Sequence, residues 1–246
     1  MSEALVLYER QGAIVTLTLN RPEKRNALNL ALWSELAAHL DTIEAAGEKI
    51  AAVVLRSNGP VFCAGNDLKE RGVPLPSPHY QARIVTRLAE LAQPVIVSVQ
   101  GGCFTGGLEL ALAGDIIVAG TSASFADTHG KFALVPVWGM SQRLPRRVGQ
   151  WKAREMSLTG LPVSGEEAAR IGLANHCVSD TQLDAKACEL AEAIAAQSRH
   201  SVFAYKKLYR EQADLPLSAG LAHEVFNSAG IGADFAERVG AQFGKA

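Results

Sequence analysis

The sequence predicts an α/β domain built on a largely parallel sheet. Between Ala13 and Ala119, short apolar runs bounded by turn residues alternate with segments of helical spacing, which is the signature of repeated strand–helix units. Beyond Gln150 the pattern becomes mostly helical, with turns at Gly160-Leu161-Pro162, Gly172 and Leu215-Pro216. At 246 residues the chain suffices for one large core with a smaller appendage.

Taken in order, the alternation over Ala13–Leu19 predicts a half-buried strand, broken by Asn20-Arg21-Pro22-Glu23. Leu28, Leu32, Leu36, Leu40 and Ile43 recur at helical spacing, so a helix is expected over 28–46, closed by Gly47. Ala51–Leu55 is an apolar run of the kind that forms a buried parallel strand. A helix over 80–91, a strand over Val95–Val99, a short Gly-rich helix and a strand over Asp115–Ala119 follow. Ser164 with Glu167 makes a capping box. Residues 1–190 are expected to form the core, and 191–246 a helical segment that buries its apolar faces against the core or a neighbouring subunit.

Composition excludes several classes. A net charge of −1 leaves no basic stripe for nucleic acid or an anionic membrane. No stretch approaches the run of about 18 apolar residues that a membrane span requires. The four cysteines have neither paired nor zinc-type spacing, so no metal is expected and they read as reduced thiols of a cytoplasmic protein. The charged N-terminus lacks the apolar centre of a signal peptide.

Two turns could carry chemistry. In Gln100–Ala111, an apolar strand enters a glycine-rich turn, and Glu109 follows two residues after the last glycine among apolar neighbours. The turn is not a phosphate loop, because Gly107 and Leu108 occupy the places of Lys and Ser/Thr. Glu109 is either a partner of the helix dipole or an acid/base group beside bare backbone amides. The second turn, Val61–Glu70, follows the Ala51–Leu55 strand and reaches the same sheet edge. Gly65 lets the chain turn so that the Asn66 N–H points outward, while Asp67 with Glu70 resembles a capping box.

The segments Leu19–Asn29, Phe62–Leu68, Gly106–Ala111 with Asp115-Ile116, and Gln142–Pro145 before Val148-Gly149 together resemble the crotonase, or enoyl-CoA hydratase/isomerase, superfamily. The resemblance implies a core of stacked ββα units with a C-terminal helical segment, assembled as trimers or a dimer of trimers. It implies an acyl-CoA thioester as substrate, with coenzyme A entering as part of that substrate and no tightly bound cofactor. The Asn66 and Gly106 amides would form the oxyanion hole, with Glu109 as acid/base. The position of the family's second glutamate falls on His129, and no glutamate lies between Glu109 and Glu155. His129 admits three readings: an acid or base near neutral pH, an orienting group for Glu109 or water, or a structural histidine bonded to Asp127 or the backbone. Asp127 would share its face if the segment is extended.

The same resemblance places Arg25, Ala27, Ala64, Asp67 and Leu68 near the CoA moiety. It offers Phe235 and Arg238 as contacts lent to a neighbouring subunit, a solvated helical charge being the alternative for Arg238. Trp138 is either a wall of the acyl pocket or core packing. Hydration is the expected reaction. Double-bond isomerisation is the enzymatic alternative, and acyl-CoA binding with little turnover the non-enzymatic one. The proline-dense Arg71–His79 loop could tune acyl preference.

Overall fold

The computed structural model describes residues 4–70 and 72–244, so Arg71 at the head of the proline-dense loop lies outside the described residues. The elements are β1 (Val6–Gln11), β2 (Ile14–Leu19), α1 (Leu30–Ala46), β3 (Ala52–Ser57), α2 (Tyr80–Glu90), β4 (Val95–Val99), β5 (Gly102–Phe104), α3 (Gly106–Ala111), β6 (Ile116–Gly120) and β7 (Ser124–Ala126). There follow α4 (Met140–Val148), α5 (Gln150–Thr159), β8 (Val163–Ser164), α6 (Gly165–Arg170), β9 (His176–Val178), α7 (Leu183–Ala196), α8 (Arg199–Gln212), α9 (Leu217–Phe226) and α10 (Phe235–Phe243).

Six strands form the main sheet in the order β1-β2-β3-β4-β6-β9, parallel except for the β1–β2 hairpin. The remaining strands pair as β5-β7-β8. Alternation along each strand divides its side chains between two covers. Val53 and Leu55 join the main core with Leu32, Trp33, Leu36 and Leu40 of α1. Ala52, Val54, Ile96 and Val118 face the other way, against Leu183, Ala187 and Ala191 of α7. Burial on both faces is why these strands are apolar throughout.

Helix α1 starts two residues later than its periodicity suggests. Asn29 caps it, its Oδ1 accepting from Leu32 N–H at 3.0 Å, while Leu28 pairs outside the helix with Asn66. Ser164 caps α6 through Glu167 N–H at 3.2 Å, but the Glu167 carboxylate turns to Arg170 instead of closing a box. β8 and β9 interrupt the stretch read as helical; with two and three residues they are too short to show alternation. Residue 190, where the sequence reading divides the chain, lies inside α7, which packs on the sheet.

The loops above the sheet are joined by one buried amide. Asn26 Oδ1 accepts from Arg21 N–H at 2.8 Å, and its Nδ2 donates to the carbonyls of Asn58 at 2.9 Å and Val61 at 2.8 Å. Its backbone sits at φ 52°, a left-handed conformation that asparagine tolerates better than most residues. Replacing it removes the partner of three part-buried polar groups, each costing up to roughly 1–3 kcal/mol if left unpaired. Asn26→Ala is therefore expected to lower the unfolding free energy by about 2–4 kcal/mol in urea titrations. A loss below about 1 kcal/mol would mean the loops hold without it.

Candidate active site

The site is built where the second turn crosses the start of α3. Leu28 N–H donates to Gly65 O at 2.9 Å and Asp67 N–H to Leu28 O at 3.0 Å, forming a parallel bridge around Asn66. In such a bridge the enclosed residue's own N–H faces away from its partner. Gly65 makes this possible at φ 102°, a region closed to most side chains. Gly106 opens α3, so its N–H has no intrahelical acceptor. Thr105 precedes it at φ 52° and ψ −111°, a strained conformation for a β-branched residue, and does not cap the helix; its hydroxyl pairs with Thr128.

The two amides lie side by side. A Cβ built on Gly106 would come within 3.3 Å of Asn66 N and 2.4 Å of the Trp138 ring, so nothing larger than glycine fits. Among the described residues neither amide is bonded to a protein acceptor. Together they offer two fixed donors and the positive end of a helix to one oxygen.

Glu109 lies one turn along α3 and is 1% exposed. Its two oxygens have different surroundings. Oε1 accepts from the N–H groups of Trp138 at 2.8 Å and Met140 at 3.2 Å. Oε2 stands 3.6 Å from Nε2 of His129. Burial raises the carboxyl pKa above its ordinary value, against the opposing pull of those two amides and of His129.

His129 does not continue strand β7; it opens a 3-10 turn over His129–Phe132. Asp127 reaches it through that turn, which corrects the expectation that the two share a face only along an extended strand. Asp127 Oδ1 accepts from His129 Nδ1 at 2.6 Å and from its backbone N–H at 3.2 Å. Burial alone would raise the Asp127 pKa, but hydrogen bonds from His129 and Ser157 outweigh it and hold the carboxyl below its usual range. His129 is thus bonded to Asp127, as its structural reading has it, while its other ring nitrogen stands toward Glu109.

These groups border a cavity of about 150 Å³, with Asn66, Thr105, Gly106, Glu109 and His129 as its polar part. Ala64, Leu68 and Trp138 supply apolar wall, as do Phe132, Leu134, Val135 and Val137, four residues that the sequence reading missed. Trp138 lines this cavity and also packs in the core, its ring meeting Trp33 edge-on with centroids 5.1 Å apart. A roomier groove of about 580 Å³ between α8 and the arginines of α4 contains none of the site's residues.

The other expected contacts lie outside this cavity. Asp67 forms an ion pair with Arg21 at 2.7 Å, which holds its carboxyl below the ordinary range. It receives Lys69 N–H at 3.1 Å, whereas Glu70 reaches across to Leu30 N–H at 2.7 Å, so each carboxylate serves a different helix and no capping box forms. Arg25 is exposed in a left-handed turn, and Ala27 O accepts from Arg21 at 3.0 Å. Arg238 is bonded within its own chain, to Asp234 and to Ala196 O, and Phe235 is exposed on α10.

Comparison with known proteins agrees with this architecture. The family model described as enoyl-CoA hydratase/isomerase matches residues 9–240. The 1,2-epoxyphenylacetyl-CoA isomerase of Escherichia coli is 33% identical, covering 100% of this chain and 97% of its own. An enoyl-CoA hydratase of Mycobacterium tuberculosis is 34% identical over 85% of this chain and 82% of its own. The solved enoyl-CoA hydratase of Bacillus anthracis superposes with a TM-score of 0.89 at 33% identity, covering 96% of this chain and 95% of that one. Matched by the family's model and by relatives over almost its whole length, this chain belongs to the enoyl-CoA hydratase/isomerase family.

Proposed function

We propose that the protein hydrates 2-enoyl thioesters of coenzyme A. The observation that carries the reading is the meeting of two open amides, Asn66 and Gly106, with the buried Glu109 at one cavity. A thioester carbonyl set between the amides becomes an enolate when a nucleophile adds at C3 or a proton leaves C2. Fixed donors aimed at that developing charge are worth about 3–4 kcal/mol each. Glu109 Oε1 is held by the Trp138 and Met140 amides, which leaves Oε2 to take a proton from water as its oxygen joins C3. The proton then returns to C2.

Double-bond isomerisation is the second reading, and His129 at the expected place of a second carboxylate favours it. One acid/base group suffices to carry a proton between C2 and C4. In both readings coenzyme A arrives as part of the substrate and no other cofactor is required. We further propose a cytoplasmic homotrimer or dimer of trimers. No described helix is long and apolar enough to cross a membrane. Leu217, Phe226 and Phe243, each about 80% exposed along α9 and α10, support assembly through the C-terminal helices.

Crotonyl-CoA and a 3-enoyl-CoA, followed by ultraviolet absorbance, separate these readings. Glu109→Gln should cut turnover by about 10²–10⁴-fold without lowering the thermal midpoint. Saturable binding of both thioesters with no turnover by the native protein would replace catalysis with binding. Because Glu109 must be ionised to act as a base and burial raises its pKa, activity should fall as pH drops through a midpoint above the ordinary glutamate value of about 4.3. An acid limb at or below that value would contradict its role. Asn66→Ala retains the main-chain donor and should leave kcat/KM within about tenfold. A hundredfold loss would transfer the role to the side-chain amide.

A further inference from the structure

Asp127 is buried behind the cavity and does not line its wall. Every hydrogen bond it makes to His129 uses the same oxygen. Oδ1 receives both the backbone N–H and the ring Nδ1, the latter at 2.6 Å. Ser157 of α5 also donates a hydrogen bond to the carboxylate. An ionised carboxylate can only accept, so Nδ1 must carry a proton, and in the neutral imidazole Nε2 is then a bare lone pair. That lone pair looks at Glu109 Oε2 across 3.6 Å. Two bare acceptors at that separation repel each other, and one proton between them removes the conflict. Such separations tighten to hydrogen bonds when a site closes on its ligand.

We propose that Asp127 is a positioning residue: by accepting from Nδ1–H of His129 it commits the imidazole to the tautomer whose Nε2 faces Glu109 Oε2, so that a single exchangeable proton serves both groups. The inference rests on Glu109 being the acid/base group and says how its proton is kept. When Oε2 takes a proton, its O–H can pass that proton to Nε2 and return to carboxylate. The charge of the imidazolium so formed is balanced by Asp127. The pair then titrates as a unit. Burial is the main reason the Glu109 carboxyl lies above its ordinary value, and the negative charge of Asp127 adds a smaller push in the same direction. Charged groups on the surrounding elements include Arg143 of α4, whose guanidinium donates to Trp138 O at 2.7 Å, and Lys131 of the same turn; Arg146 and Arg147 of α4 and Lys152, Arg154 and Glu155 of α5 complete those elements.

The test uses substrate-free full-length protein carrying ¹⁵N-histidine and ¹³C-carboxyl glutamate, so it does not depend on any turnover. In the native protein, His129 should show a protonated Nδ1 and an unprotonated Nε2 above its titration. Its nitrogens and the Glu109 carboxyl carbon should share one midpoint. Asp127→Asn keeps an acceptor oxygen but not the charge, so the tautomer should persist while the midpoint falls by at least about one pH unit, tenfold in proton affinity. Asp127→Ala, which removes the acceptor, should release the tautomer. If that variant does not fold, the native spectrum and the Asn variant decide. A native Nε2–H tautomer, separate titrations of Glu109 and His129, or an unmoved midpoint in Asp127→Asn would each overturn the proposal. Any of those results alongside normal turnover of an enoyl-CoA would leave the proposed function standing. The expected spectra without turnover would do the reverse.

Discussion

Two main-chain amides with no protein acceptor can be kept in place only by fixing the backbone on either side of each. A buried N–H without a partner costs about 1–3 kcal/mol, so an unrestrained loop would rotate to satisfy it. Here the neighbouring groups are already engaged. The bridge to Leu28 occupies the flanks of Asn66, a second bridge joins Cys63 to Cys103, and Thr105 N–H donates to Ala126 O at 2.9 Å. Asn26 ties the loops beneath. The fold therefore concentrates strain at the site. Thr105 alone, at φ 52°, carries on the order of 1–3 kcal/mol that packing elsewhere must offset.

The same economy governs charge. Glu109, Asp127 and His129 form a buried cluster in which each ionisable atom faces a chosen partner. A carboxylate in so apolar a place is tolerated because two amides meet one oxygen, while its other oxygen faces His129.

Much of this was legible in the chain. The Gly65 turn and the start of α3 each fix a backbone direction within a few residues, so the Asn66 amide and Glu109 stood out locally, while the pairing of Asn66 with Gly106 rested on the resemblance to the family. The main-sheet strands β2, β3, β4 and β6 were legible for the same reason, as runs of period two or continuous apolarity, whereas β5 lies in the stretch read as a glycine turn. The Asp127–His129 contact was not. It depends on a 3-10 turn, and two residues separated by one can meet through a strand, a turn or not at all. The wall residues Phe132, Leu134, Val135 and Val137 come from irregular chain with no period to read. Glu70 was misassigned because its capping target, Leu30, lies 40 residues away.

The amides of Trp138 and Met140 that grip Glu109 belong to the segment whose Val135 and Val137 stand 75% and 67% exposed at the cavity. Acid strength and wall position are thereby one thermodynamic variable. Whatever draws that segment away from α3 removes donors from the carboxylate and makes it hold its proton more tightly. By reciprocity, ionising Glu109 tightens the segment by the same free energy. Anything that leans on this wall therefore shifts the proton affinity of Glu109.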